Sequence, residues 1–394
     1  MFCCHDRLPP KIFPSREPTT HAPGAPQRSI REDGYTDYVG AIHIHTTYSH
    51  DAMGTFEEAV RVANAQRLDY IIITEHNTLQ PLRDGKQGWH GATLVLIGLE
   101  LSTSAGHYLT FNVTQEIDRS LPIQHIVDEV NRQGGLGFIA HPYYSRAPWR
   151  NYNIHGFLGI EGYNTAHDTL DENKLRLGVW TITSPEEIFY DSIVDRPVDP
   201  LAKWDELIRT RGRTVGIGST DAHEFHVFGL HLAPYRILFQ LSRTHVLIRG
   251  PLSPESVYDA FRAGHVYFAL ELTAEAKGFS FLAHTSKQVV GIMGDEIPLQ
   301  PDLTFSVYVP GAAQLTCFKD GAPIAFIIGQ TWELPVTEPG AYRIEASRYN
   351  KPWIFSNPIY VQGAASESAS APAQPVVPGN DEPPSQEANP RHAL

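Results

Sequence analysis

The sequence predicts an α/β fold in two unequal parts, a parallel barrel of alternating strands and helices followed by a small antiparallel β-sandwich. Three observations carry this. Between about residues 31 and 271, short apolar runs alternate with amphipathic stretches of helical period. Those apolar runs are continuous rather than alternating, which marks strands buried on both faces. Beyond about residue 272 the helical period stops, while strand-like runs separated by turn residues go on. A chain of 394 residues has room for one large domain and one small one.

Residues 1–30 are rich in Pro, Arg, Ser and Thr without apolar period and are expected to be disordered. GAIHIH is the first strand, and Thr55 with Glu58 three residues later opens a helix as a capping box. DYIIIT completes a βαβ unit. The same grammar returns at TLVLIGLE and GHYLTFNV, then at PIQHIVDEVNRQGG, a helix closed by glycines, followed by LGFIA. FLGIEGY follows, then PLAKWDELIRTRG with TVGIGST, and THVLIRG with SPESVYDAFRAG. Repeated strand–helix alternation of this kind favours a closed parallel barrel over an open sheet. LTFSVYVPG, QLTCFKDG, IAFIIG and AYRIEASRY supply the sandwich over 272–362, and the Ala/Ser/Pro-rich residues 363–394 are an expected disordered tail.

With a formal net charge of −13 the chain is a poor polyanion binder, so nucleic acid is not an expected partner and a small molecule is. A small phosphorylated substrate stays compatible, because bound cations reverse the local field. Cys3, Cys4 and Cys317 cannot build a disulfide framework, which points to a reducing, cytoplasmic setting. No run approaches 18 apolar residues, and MFCCHDRLPPKIFPSREP is interrupted by charge and proline where an export signal needs an apolar stretch.

Ligand-type residues gather where predicted strands end. His43 and His45 close the first strand, His76 follows YIIIT, Glu100 follows LVLIGL, and His141 follows LGFIA. Glu161 follows LGI, and Asp221 with His223 follow VGIGST. In a parallel barrel these ends share the face where active sites form. Residues two apart on a strand point the same way, so His43 and His45 can chelate one ion while Ile42 and Ile44 pack behind. A carboxylate such as Glu100 can bridge two ions ~3.5–4 Å apart, the spacing for in-line displacement at a phosphoryl centre. A single histidine at a strand end is more often structural; HxH, TEH, a Glu, AHP and DAH at successive strand ends are not.

HIHTTYSHD, ITEHNT, GLELS with GHYL, FIAHP and GSTDAH resemble, in order, the motifs of the polymerase-and-histidinol-phosphatase (PHP) superfamily of metal-dependent hydrolases. DGAPIAFIIG, EPGAYRIEA and PWIFSNPIYV resemble the CehA/McbA-type branch, and the likeness runs over roughly residues 36–362. The resemblance implies a distorted (β/α)7 TIM-like barrel with a trinuclear site. It implies one ion on His43, His45, Glu100 and Asp221, a second on Glu100, His107 and His141, and a third on Asp51, His76 and His223. Ala41 and the Glu of Thr74-Glu75-His76 depart from the common pattern, which has Asp at both places, and either His50 or Asp51 can take the third-ion position. With Asp51 as the ligand, His50 becomes a proton donor or a support.

The expected activity is hydrolysis by water activated on two to three divalent ions, Mn, Zn or Fe, with small phosphate mono- or diesters as substrates. Arg146, just past His141, has the fork geometry to grip a phosphate, and Tyr143 and Asn164 are expected to line the mouth with His167, His226 and His231 on the rim. Tyr144 and Trp149, beside Tyr143, could instead furnish an apolar pocket for a carboxylic ester, carbamate or amide. A third reading is a metal-holding binding protein without catalysis.

Overall fold

The computed structural model describes residues 33–165, 194–227, 230–272 and 274–363. The segments expected to be disordered, residues 1–30 and the tail from 364, lie outside the described residues, as do Cys3, Cys4 and His167. The chain begins with the expected βαβ unit: β1 (Thr36–Ile44), α1 (Phe56–Ala65) and β2 (Tyr70–Ile73). Thr55 caps α1 by accepting from Glu58 N at 3.1 Å, and the helix buries Phe56, Ala59, Val62 and Ala63 at the three- and four-residue spacing of one face. α2 (Gln80–Arg83) and β3 (Gly88–His90) lead to β4 (Thr93–Ile97), which lies parallel to β2 as β2 does to β1.

TLVLIGLE is not one strand. At Gly98 the chain leaves one sheet for another, because a side chain there would meet Thr110 O at 2.4 Å and only glycine admits the approach. The second sheet holds β5 (Leu99–Thr103), β6 (Gly106–Phe111), β7 (Leu136–Ile139), β8 (Gly159–Asn164) and β9 (Val215–Ser219), in that order. α3 (Ile123–Arg132) precedes β7 and α4 (Val198–Arg211) precedes β9. Two residues, Ser104 and Ala105, join β5 to β6, too few for a crossover, so β6 runs antiparallel to both neighbours and only β7, β8 and β9 are parallel. The hairpin β10 (Phe225–Val227) and β11 (Leu230–Ala233) leads to α5 (Tyr235–Leu241), β12 (Arg243–Ile248), α6 (Pro254–Ala263) and β13 (Val266–Ala269). β12 sits antiparallel between β1 and β13.

The result is a mixed α/β fold of two sheets, and the described strands do not form the expected single closed ring of ladders. The sheets touch through isolated bridges, Ile44 with Ala222 and His76 with Glu100. His45 N donates to Ala222 O at 2.9 Å and Asn77 N to Glu100 O at 2.9 Å, so both contacts fall at strand ends.

In the C-terminal part come β14 (Ser280–His284), β15 (Val289–Ile292), β16 (Glu296–Pro298), β17 (Thr304–Lys319), β18 (Ala322–Pro335), β19 (Gly340–Arg348), β20 (Lys351–Ser356) and β21 (Ile359–Gln362). All their pairings are antiparallel except β16 with β21. They enclose a core that includes Phe281, Phe305, Leu315, Cys317, Ile344 and Trp353. β20 pairs with β13, so these strands extend the sheet that contains β1 instead of forming a separately bonded sandwich. LTFSVYVPG and QLTCFKDG are one 16-residue strand whose register shifts between Tyr308 and Ala313, where a turn was expected. No helix among the described residues is long and apolar enough to cross a membrane.

Candidate metal centre

Both sheets deliver their polar strand ends to one place. His43 does not lie on regular strand: the β1–β2 register shifts between Ile42 and Ile44, and His43 has φ 60. The bulge, rather than simple alternation, aims its ring beside that of His45, 5.1 Å away centroid to centroid. Asp221 and His141 also have positive φ, 48 and 22. Each such residue costs on the order of 1–3 kcal/mol, and this strain is held where the side chains converge.

Glu100 is the hub. Its Oε1 lies 2.8 Å from His107 Nδ1 and 2.9 Å from His141 Nε2. Its Oε2 lies 2.9 Å from His76 Nδ1, 3.2 Å from His45 Nε2 and 3.3 Å from His43 Nε2. Asp221 Oδ1 closes the group at 3.5 Å from His43 Nε2 and 3.4 Å from His45 Nε2. Asp51 Oδ2 is 3.2 Å from His76 Nε2 and 3.7 Å from His223 Nε2. All nine residues implied as ligands are thereby brought together. His50 instead turns outward, its side chain 81% exposed and its Nδ1 3.9 Å from Asp51 Oδ1.

The partners behind the rings fix the tautomers. His43 Nδ1 is 2.7 Å from Glu161 Oε1, His45 Nδ1 is 3.2 Å from Ser49 Oγ, and His223 Nδ1 is 2.8 Å from Asp221 O. Each acceptor takes the Nδ1 proton and leaves Nε2 as a bare lone pair facing the carboxylates. No described residue satisfies that arrangement: His43 Nε2, His45 Nε2 and Glu100 Oε2 are buried without a hydrogen-bond partner. An ion ~2.0–2.1 Å from each of four such atoms needs them ~3.3 Å apart, which the 3.2–3.5 Å separations around Glu100 and Asp221 match.

Electrostatics point the same way. Burial alone would depress His43, but Asp221, Glu100 and Glu161 outweigh it and raise its pKa well above the ordinary value. His45, buried and next to His223 and His76, is lowered. Despite burial, bonds to Asp51 and Glu100 push His76 up to about 10. Burial would raise Glu100 and Asp221, yet His43 and the neighbouring rings hold both well below the usual carboxylate range. Carboxylates this acidic among histidines demand protons or metal cations, and a divalent ion displaces those protons.

Of the supporting residues, Glu75, Glu161 and Asn164 stood out in the sequence and Ser49 did not. Ser49 Oγ donates to Glu75 Oε2 at 2.5 Å while accepting from His76 N at 2.9 Å, so one hydroxyl ties two ligand-bearing segments together. Glu75, in the place where Asp is common, also accepts from Thr46 N at 3.0 Å and Thr46 Oγ1 at 2.5 Å. Glu161 Oε2 accepts from His141 N at 2.6 Å and Asn164 Nδ2 at 3.0 Å.

A cavity of about 210 Å³ adjoins the cluster, lined by His141, Tyr143, Glu161, Asn164 and the segment Arg196 to Pro200. Tyr143 and Asn164 thus both reach it, Asn164 as a buried side chain that also approaches Asp221 Oδ2 at 3.4 Å. Arg146 is exposed on the loop after His141 with no ion pair to a described residue, whereas Arg196, which sequence reasoning passed over, is on the cavity wall. Trp149 does not line this cavity. It is buried against Tyr108 and donates to Asn151 O at 2.7 Å, which corrects the expectation of a pocket aromatic there. The side chains of His226 and His231 lie outside the described residues.

Residues 41–176 match the PHP domain family. The matched segment takes in His43 to Glu161, while Asp221 and His223 come from beyond it. The Methanocaldococcus jannaschii protein MJ1587 is 26% identical over 113 residues, 26% of this chain and 66% of that protein. Three solved structures bear partial likeness: PsfC from Pseudomonas syringae (12% identity, 56% of this chain and 88% of that one, TM-score 0.38), a candidate metal-dependent phosphoesterase from Bifidobacterium adolescentis (13%, 50% and 92%, 0.30), and an amidohydrolase from Chromobacterium violaceum (12%, 47% and 87%, 0.30).

Proposed function

We propose that this PHP domain is a metal-dependent hydrolase of small phosphate mono- or diesters. The observation that carries the reading is Glu100, ringed by five histidines, where its Oε2 and the facing His43 Nε2, His45 Nε2 and His76 Nδ1 are buried without a hydrogen-bond partner. His43, His45, Glu100 and Asp221, whose ligand atoms lie within 4.8 Å of one another, would hold one ion, and the resemblance to the PHP motifs would put a second on Glu100, His107 and His141 and a third on Asp51, His76 and His223. Nitrogen and oxygen donors in this mixture suit Mn, Zn or Fe. When bound, such ions supply Lewis acidity and a water that ionises near neutral pH.

The protein's own residues do the rest. Glu161, Ser49 and the Asp221 carbonyl hold three rings in the tautomer that presents Nε2. Tyr143, Asn164 and Arg196 face the cavity beside His141, where a substrate's organic group fits. Arg146, exposed on the loop after His141, would favour an anionic substrate, and exposed His50 would return a proton to the leaving group. One observation favours the carboxylic ester or carbamate reading: Pro142, Tyr163, Pro197, Val198 and Pro200 give the same cavity an apolar wall.

The test is a hydrolysis panel of aryl phosphates, phosphodiesters, carboxylic esters and carbamates on protein reconstituted with Mn, Zn or Fe, beside elemental analysis. Two to three ions per chain and phosphate turnover are expected. Fewer than one ion per chain after reconstitution sinks the metal reading, and turnover of esters alone moves the substrate class.

A further inference from the structure

β18 departs from the alternation that its partner β17 shows. An antiparallel strand with one face in water alternates apolar and polar residues. In IAFII the core-facing Ala325 and Ile327 alternate with Ile324, Phe326 and Ile328, which are 48%, 67% and 79% exposed. β18 is also an edge. Among the described strands it pairs with β17 alone, so its outer backbone groups have no ladder. Cationic protection is missing, since Ala322–Pro335 contains no Lys or Arg and its one charge, Glu333, is held by His284 at 2.9 Å, while its prolines, Pro323 and Pro335, sit toward the strand's ends.

We propose that β18 is a self-pairing edge through which two copies of this chain form a dimer. Two-fold antiparallel pairing centred on Phe326 sets Ile324 of one copy beside Ile328 of the other and brings the two Phe326 rings together, with no like charges opposed. The three side chains expose roughly 400 Å² per copy, within the ~300–600 Å² of the largest patches on ordinary monomers, which are often functional. Edge-to-edge pairing covers the flanks of these side chains on both copies, and the backbone edges and flanking residues must supply the rest of the ~1,000–1,200 Å² of the smaller specific interfaces. None of the nine ligand residues is on β18, so the dimer is independent of the metal centre.

Sedimentation of the full chain over micromolar concentrations tests this. The wild type is expected at twice the mass of the 43.9 kDa chain. Phe326→Lys and Ile328→Lys should each weaken dimerisation at least about a hundred-fold, the scale of a hot-spot loss, with circular dichroism and metal content unchanged. Val289→Lys, at a 43% exposed residue on β15, the opposite end of the sheet, should leave the dimer intact. A wild type that is monomeric throughout overturns the proposal, as do dimers that persist in both lysine variants or fall apart in Val289→Lys. Ile328 is too exposed to be needed for folding, so its variant remains decisive if Phe326→Lys does not fold.

Discussion

Replacing Glu161 by Gln changes one atom and should cost the centre its grip on metal. Glu161 is buried and accepts three hydrogen bonds while donating none: His43 Nδ1 at 2.7 Å, His141 N at 2.6 Å and Asn164 Nδ2 at 3.0 Å. A glutamine has two ways to sit there. With its carbonyl toward His43, its NH₂ meets two N–H donors, from His141 and Asn164, and three buried donors face one another. With its NH₂ toward His43, Nδ1 must accept, the ring proton moves to Nε2, and the lone pair aimed at Glu100 and Asp221 is lost. Carboxylates that orient a ligating histidine are typically worth 10–100-fold in metal affinity, or ~1.4–2.7 kcal/mol. Competition titration with a chelating dye should therefore show Glu161→Gln binding its first ion 10–100-fold more weakly, with wild-type circular dichroism. Unchanged affinity would refute the chain of reasoning from Glu161 through His43 Nδ1 to the ion.

Other expectations follow from the same geometry. His43→Asn and Asp221→Asn keep a residue that tolerates positive φ, so both should fold normally yet lose bound metal and turnover; activity without metal would put the chemistry elsewhere. Arg146→Ala should lower kcat/KM on an anionic substrate ~10–100-fold, the ~1.5–3 kcal/mol of a charge-assisted bond, with partial recovery in Arg146→Lys, and wild-type kinetics in the variant removes that residue. Far from the metal, buried His245 lies 2.8 Å from Asp37 and 3.0 Å from Glu271, and despite burial their charges push it up to about 9. Because this pKa is raised above the unfolded value, its contribution is fully present below about pH 6.5 and is lost as pH climbs through about 9. Melting temperature should fall over that alkaline window in the wild type, and an equal fall in His245→Gln would exclude the ion cluster as its cause.

What the sequence showed and hid divides along physical lines. Local signals were legible: the Thr55 cap, the helical spacing of Ile123, Ile126, Val127 and Val130, and the apolar strand runs each depend on neighbours within a few residues. Part of the candidate ligand set was legible for the same reason, since His45, His76, His141, Asp221 and His223 come just after strands, whereas Asp51 and His107 were implied by the resemblance to the PHP motifs. Sheet closure was not, because it hangs on single events such as the Gly98 sheet change and the His43 bulge, which apolar period cannot register. Trp149 read as a pocket aromatic because its position after a ligand strand was visible while its packing on Tyr108 was not. Ser49 and Arg196 carry no motif at all; each matters through residues that are distant in sequence or unremarkable in type.

Arg196 also changes how the C-terminal strands relate to the PHP domain. Its Nε and Nη2 donate to Glu345 on β19, both at 2.7 Å. Glu345 also accepts from Arg343 Nη1 at 2.5 Å, and Arg343 makes a bidentate pair with Asp205 of α4 at 2.8 and 2.7 Å. Two cations and two anions, Arg343 fully buried among them, are thus balanced in charge and mutually hydrogen-bonded, which offsets the cost of taking them from water. Removing any one partner would strand a charge. The chain runs directly from Arg196 into Pro197–Pro200, which wall the cavity beside His141, so the position of that wall is set from β19. Asn357, between β20 and β21, makes a second tie by bonding Gly216 N and O, both at 2.9 Å, at the second residue of β9. A region that reads as a cover over one side of the fold therefore reaches both the cavity wall and the strand that leads to Asp221. Differences in substrate choice among chains sharing this ligand set can then arise in the β-rich part while the ligands themselves stay fixed.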